Sequence, residues 1–189
     1  MRIISGKFRS RKLIKFNKEG IKPTSDKMRE SIFNIIISYF NFKNKNNLPL
    51  QGLNVLDIFS GTGALGLESI SRGAENVTFI EKSKDNLRVL YKNIDHLKVS
   101  KKVKIIKRSI RMVKKIDGKF DLIFMDPPYQ MDLIIKKTLK KILDFKIIKK
   151  ETLIILEYAK RKKISIPKDL KVVKKKDYGN SSLKLIKLK

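Results

Sequence analysis

Two short stretches of this 189-residue chain carry residue types that could do chemistry. The first, Asp126-Pro127-Pro128-Tyr129, follows the apolar run Leu122-Ile123-Phe124-Met125. Proline donates no ladder hydrogen bond, and the first one holds its predecessor extended, so a strand should stop here. The strand then delivers a carboxylate, a stiff carbonyl and an aromatic ring to one place. An exocyclic amine on a base is a poor nucleophile, because its lone pair is delocalised into the ring. Two acceptors, the Asp126 carboxylate and the Pro127 carbonyl, could take its two hydrogens and draw the nitrogen toward sp3 geometry, a preorganised arrangement that lowers a barrier. Tyr129 could stack on the base once it is rotated out of its helix. Taken alone, Pro-Pro after a strand is an ordinary turn; the chemistry gains weight only from what lies beside it.

The second stretch is Asp57-Ile58-Phe59-Ser60-Gly61-Thr62-Gly63-Ala64-Leu65-Gly66, a G-x-G-x-x-G string between an expected strand and an expected helix. Glycines there permit a tight turn and let a ligand approach the backbone. Twenty residues beyond Gly61 the next expected strand ends in Glu81, a carboxylate suited to the two ribose hydroxyls of a nucleoside. A dinucleotide would need its pyrophosphate at the helix N-terminus, and Asp57 would repel it. Asp57 suits a ligand with an ammonium group instead. S-adenosylmethionine carries an ammonium, a sulfonium and no phosphate, so charge favours it over NAD. Asp57, Phe59, Ser60, Gly61, Gly63, Gly66 and Glu81 are the candidate cofactor contacts. Glu68, early in the following helix, could serve the site or only the helix dipole. No metal is required, since a methyl on a sulfonium is already activated for in-line transfer.

Positioning these groups takes an alternating chain. Strands are expected at about 53–58, 76–81, 103–107, 120–125 and 152–157, and helices at about 64–72, 83–96 and 131–143. That order implies a parallel, doubly wound sheet with helices on both faces, and in such a sheet Asp126 should face the cofactor crevice. Ahead of it, Arg2-Ile3-Ile4-Ser5-Gly6-Lys7 and Leu13-Ile14 suggest a short hairpin bending near Gly6. A helix over about 26–40, capped by Thr24 or Ser25, carries the stripe Ile32, Phe33, Ile36, Ile37 and Phe40, expected as core packing. The polar run 41–51 is the expected seam, dividing the chain into a basic extension (1–41) and the catalytic domain (42–189). Val172-Val173 and Leu183-Lys184-Leu185-Ile186 read as a closing hairpin around Asp177-Tyr178-Gly179-Asn180.

Composition narrows the partners. Lys and Arg number 46 against 18 Asp and Glu, a net charge of +28, and such a field favours polyanions. Residues 1–29 hold ten basic and two acidic residues, and residues 136–189 hold nineteen and five. AT-rich coding can also enrich lysine, but the carboxylates gather in the middle, where the motifs lie. Arg2, Lys7, Arg9, Arg11 and Lys12 are therefore candidate RNA phosphate contacts, with a solvated surface as the plain alternative. The absence of cysteine removes disulfides and thiolate chemistry. No apolar run approaches the ~18 residues of a membrane span, and Met1-Arg2-Ile3-Ile4 lacks a signal-peptide core, so a cytoplasmic monomer without membrane contact is expected.

These motifs together resemble a known family. Asp126-Pro127-Pro128-Tyr129 matches the [DNS]-P-P-[YFW] signature of amino-group methyltransferases, and residues 57–68 look like that group's cofactor loop. Arg2-Ile3-Ile4-Ser5-Gly6-Lys7, the stretch Lys22-Pro23-Thr24-Ser25-Asp26-Lys27-Met28-Arg29-Glu30-Ser31-Ile32-Phe33-Asn34 and Tyr178-Gly179 resemble the bacterial 16S ribosomal RNA guanine-N2 methyltransferase family known as RsmD. The resemblance spans nearly the whole chain. It implies a Rossmann-like class I methyltransferase with a seven-stranded, mostly parallel sheet and a small N-terminal hairpin and helix. It also implies a substrate presented on the small ribosomal subunit.

One departure stands out. Such enzymes often place an acidic residue after the third strand to bond the adenine amine, and here the stretch reads Ile106-Lys107-Arg108-Ser109-Ile110, where Ser109 could substitute as the acceptor or the backbone could serve. Arg29 could orient the RNA or form a local ion pair with its neighbours. His96, the single histidine, reads as a surface or capping residue. The competing functions are an adenine-N6 or cytosine-N4 DNA methyltransferase, for which 189 residues leave little room for a target-recognition domain, and a non-catalytic RNA-binding protein, against which the intact Asp57, Glu81 and Asp126 argue.

Overall fold

A computed structural model describes residues 1–15, 26–40, 48–127 and 132–189. The first helix, α1 (Asp26–Phe40), buries Ile32, Phe33 and Ile36, the i, i+1, i+4 face of its stripe. Its expected caps, Thr24 and Ser25, lie outside the described residues. Then β1 (Asn54–Ile58), α2 (Ala64–Ser71), β2 (Asn76–Ile80), α3 (Lys84–Leu97), β3 (Val103–Ile106), β4 (Phe120–Met125), α4 (Asp132–Asp144), β5 (Ile148–Ala159), β6 (Leu170–Tyr178) and β7 (Ser181–Leu188) follow, with only a 3-10 turn (Ile110–Met112) between β3 and β4 and the last three strands in succession. The strands form one sheet in the order β3-β2-β1-β4-β5-β7-β6. The first five pair in parallel, and β7 runs antiparallel to both of its neighbours.

Register decides what the sheet presents at its end. Ile58 pairs with Ile80 on one side and with Met125 on the other. The residues that follow, Phe59, Glu81 and Asp126, therefore leave three adjacent strands at one level. Burial of the strands on both faces explains their near-continuous apolar runs. One face packs α1, α2 and α3 through Phe33, Leu67, Leu90, Phe79 and Phe124, and the other packs α4 through Ile135, Leu139, Ile123 and Leu156.

The N-terminal segment departs from a regular hairpin. Only one antiparallel bridge, Arg2 with Lys12, joins its arms. The cause lies in where its amides go. Ile4 and Ser5 donate to the Glu68 carboxylate, Lys7 to the Ser71 carbonyl and Phe8 to the Ser71 hydroxyl. Backbone groups claimed by α2 are lost to a cross-strand ladder. At Gly6, φ is +85° and a Cβ would sit 1.9 Å from the Ser71 carbonyl oxygen, so no side chain fits this crossing. Ile3 and Leu13 join the same core as α1, so the segment is welded to the sheet domain.

The closing hairpin is longer than the apolar residues alone suggest. It pairs Leu170 with Leu188 at one end and Tyr178 with Ser181 at the other, across a two-residue turn at Gly179-Asn180. Ser31 of α1 and Tyr178 share a hydrogen bond between their hydroxyls, which ties the turn back to the first helix. Among the described residues no helix is long and apolar enough to cross a membrane.

Candidate active site at the ends of β1, β2 and β4

The glycine loop hangs from β2. The amides of Phe59 and Ser60 both donate to the Ile80 carbonyl, at 3.0 and 3.2 Å. Glu81 then closes the loop from the side: its carboxylate accepts from the Gly61 amide at 2.8 Å and from the Lys82 and Ser83 amides at 2.7 and 2.8 Å. Asp57 is buried behind the loop and accepts from the Gly66 amide at 3.0 Å, in the first turn of α2. Gly66 is required by packing, since a Cβ there would lie 2.2 Å from the Phe79 ring. Helix and strand approach this closely only without a side chain.

Phe59 has φ of +65°, a left-handed conformation rare for an aromatic residue. Such strain costs on the order of 1–3 kcal/mol and tends to collect at functional sites. Beside it the Ser60 hydroxyl is buried and finds no hydrogen-bond partner among the described residues. A buried polar atom in that condition is costly unless a ligand satisfies it. The loop thus combines an open donor-acceptor group, a strained aromatic and two buried carboxylates.

Electrostatics joins this loop to the tetrapeptide. Burial pushes the Asp57 carboxyl up from 3.8 to about 8; the Gly66 amide opposes that rise, while the charges of Asp126 and Glu81 add to it. Three carboxylates therefore converge, which suits a cationic ligand and repels a phosphate. Asp126 is half-buried at the end of β4, and Pro127 after it is buried. Pro128 and Tyr129 lie outside the described residues. Ser109, following β3, is half-buried and accepts from the Arg111 amide at 3.4 Å, capping the short 3-10 turn Ile110–Met112. His96 is exposed in the last turn of α3.

The basic residues divide. Arg2, Lys7, Arg9, Arg11 and Lys12 are exposed, and Arg11 and Lys7 flank the Phe8 ring at 5.2 and 6.0 Å. Arg29 does not belong with them: it is 0% exposed, so of its two readings the RNA contact gives way to the local ion pair, inside a buried network. Its guanidinium donates to Asp26 at 2.6 Å and to the Arg2 carbonyl at 2.9 Å, and it lies 3.9 Å from Glu68. Arg72 meets Glu68 at 2.8 Å and stacks 4.6 Å from the Phe33 centroid. Glu68 is the centre of this network and clasps the N-terminal segment, a role that residue type alone does not announce. The i, i+4 spacing of Glu68 and Arg72 and the i, i+3 spacing of Asp26 and Arg29 are the only signals of it.

A seven-stranded sheet with its last strand reversed, carrying a glycine loop beside a strand whose end delivers Asp126 and Pro127, defines a Rossmann-like methyltransferase. The chain belongs to the family described as Conserved hypothetical protein 95, the RsmD family, whose model matches residues 1–187. It is 36% identical over 175 residues to the ribosomal RNA small subunit methyltransferase D of Buchnera aphidicola subsp. Acyrthosiphon pisum, covering 92% of this chain and 86% of that one. The protein of that name from Haemophilus influenzae is 33% identical over 189 residues, with 98% and 92% covered. The solved structure of yhhF from Escherichia coli, which carries a methyltransferase assignment, matches with a TM-score of 0.82 at 26% identity, covering 100% of this chain and 98% of that one.

Proposed function

We propose that the protein methylates the exocyclic N2 amine of a guanine in the 16S RNA of the small ribosomal subunit, using S-adenosylmethionine. The observation that carries this reading is the register of β1, β2 and β4, which brings the glycine loop, Glu81 and Asp126 to one level. The names of the relatives support the RNA of the small subunit as substrate, and the exposed basic residues of the N-terminal segment support a polyanionic partner.

The residues fit the proposed donor. Glu81 accepts from three amides and keeps acceptor capacity for a ribose hydroxyl. The Ser60 hydroxyl and the buried Asp57 carboxylate suit an amino acid bearing an ammonium group. Ser109 is the proposed acceptor for the adenine amine. When bound, the donor offers a methyl on a sulfonium, open to in-line attack by nitrogen. The Asp126 carboxylate and the Pro127 carbonyl accept the two hydrogens of the target amine and hold its lone pair toward that methyl. Tyr129 stacks on the flipped base. Arg2, Lys7, Arg9, Arg11 and Lys12 hold phosphates of the RNA, and residues 1–41 act as its docking extension.

The test is methyl transfer from labelled donor to small subunits taken from cells lacking the enzyme, followed by nucleoside mapping. Label in N2-methylguanosine is expected. Label in another nucleoside, or none, would overturn the reading.

A further inference from the structure

On the α4 face of the sheet, a cavity of about 180 Å3 opens between the 3-10 turn and α4, lined by Ile110, Arg111, Lys137, Thr138 and Lys141. It is half open to solvent and smaller than the ~300–1,000 Å3 that small-molecule sites occupy, a size that suits a tetrahedral anion. Three of its five lining residues are cationic and none is a carboxylate. Charge alone would say little on so basic a chain. The independent observation is Thr138: it is only 2% exposed, and its hydroxyl has no hydrogen-bond partner among the described residues. A buried hydroxyl left in that state calls for a ligand, and it can donate to an anionic oxygen.

The wall is also partly preorganised. Lys141 donates to the Arg111 carbonyl at 2.7 Å, which pins helix and turn together across the cavity. Both walls belong to segments that leave the catalytic end of the sheet. Thr138 lies six residues into α4, roughly 9 Å along the helix axis at 1.5 Å per residue.

We infer that this cavity holds a backbone phosphate of the substrate RNA, next to the nucleotide being modified. This rests on the RNA-methylation reading and deepens it: a phosphate contact carries no sequence information but fixes the register of the strand on the enzyme. The N-terminal segment and this cavity then grip the RNA at two separate points.

The full-length protein carrying Thr138→Val, and separately Arg111→Ala with Lys137→Ala, is compared with the wild type in binding small subunits across a salt series. Thr138→Val should weaken binding roughly tenfold, the scale of one hydrogen bond to a charged group, while its thermal midpoint stays level or rises because a buried orphan hydroxyl is gone. The double variant should flatten the log–log salt slope by about 0.7, as for one phosphate on the single-strand scale. Adenosylmethionine affinity, read without RNA, should match the wild type in both. Wild-type binding and slope in both variants would overturn the inference while leaving methylation by the wild type intact. Inorganic phosphate separates a second source: stabilisation of the wild type by phosphate, lost in Thr138→Val, with RNA binding unchanged, would mark a free-anion site and overturn the RNA assignment. A wild type that binds no small subunits would sink this inference and the proposed function together.

Discussion

The carboxylate of Asp57 accepts a hydrogen bond from the Gly66 amide at 3.0 Å, joining the end of β1 to the first turn of α2 across the glycine loop. A buried acid with one amide partner, facing two other carboxylates, is held protonated to about pH 8. The folded state therefore keeps a proton that the unfolded chain gives up near 3.8. Its contribution to stability is complete below that lower value and is lost as pH rises through about 8. The melting temperature of the unliganded protein should fall across this window. Asp57→Asn, which retains an acceptor for Gly66, should flatten the fall, and an equal slope in both proteins would contradict the assignment. A cationic ligand favours the ionised form, so binding of adenosylmethionine near pH 7 should release a proton. Calorimetry in two buffers of different ionisation enthalpy measures it.

Glu68 compensates two buried guanidinium groups at once. Glu68→Gln should cost about 3–5 kcal/mol, as when one partner of a buried ion pair is removed. Urea unfolding measures the loss. Hydrogen exchange should show the Ile4 and Ser5 amides losing protection before the strands do, because both donate to that carboxylate. Unchanged protection would mean that the segment is held without Glu68, by its bonds to Ser71 and by the burial of Ile3 and Leu13.

Arg9, Arg11 and Lys12 are exposed on the N-terminal segment and take no part in the glycine loop. Replacing all three with alanine should weaken binding to small subunits and reduce the log–log salt slope by about two units on the single-strand scale. Cofactor affinity should not move. Parallel lines of equal affinity would make these charges plain solvated surface.

How much of this was legible in the sequence depends on whether the signal is local. The parallel strands are readable because burial on both faces demands apolar runs, and the glycine loop is readable because its glycines sit between a strand and a helix. β6 is harder. Its lysines are exposed on both faces of an edge strand, so no alternation marks it beyond Val172-Val173. The N-terminal hairpin misleads for the opposite reason: its local pattern suits pairing, but α2, some sixty residues on, claims its amides. Arg29 is legible only in part: of its two readings the local ion pair is present, with Asp26, but its complete burial also rests on the Arg2 carbonyl and on Glu68, partners distant in sequence. Convergence of Asp57, Glu81 and Asp126 follows from strand order and register, which the three motifs suggest but do not fix.

The account turns on Asp126 acting on the target amine beside a donor that other residues hold. Single-turnover methyl transfer to small subunits by Asp126→Ala, at saturating adenosylmethionine, tests this most directly. The rate should fall by a factor of roughly 10² or more, on the scale of losing one preorganised transition-state group, while the dissociation constant for the donor changes far less. Transfer at the wild-type rate would contradict the mechanism.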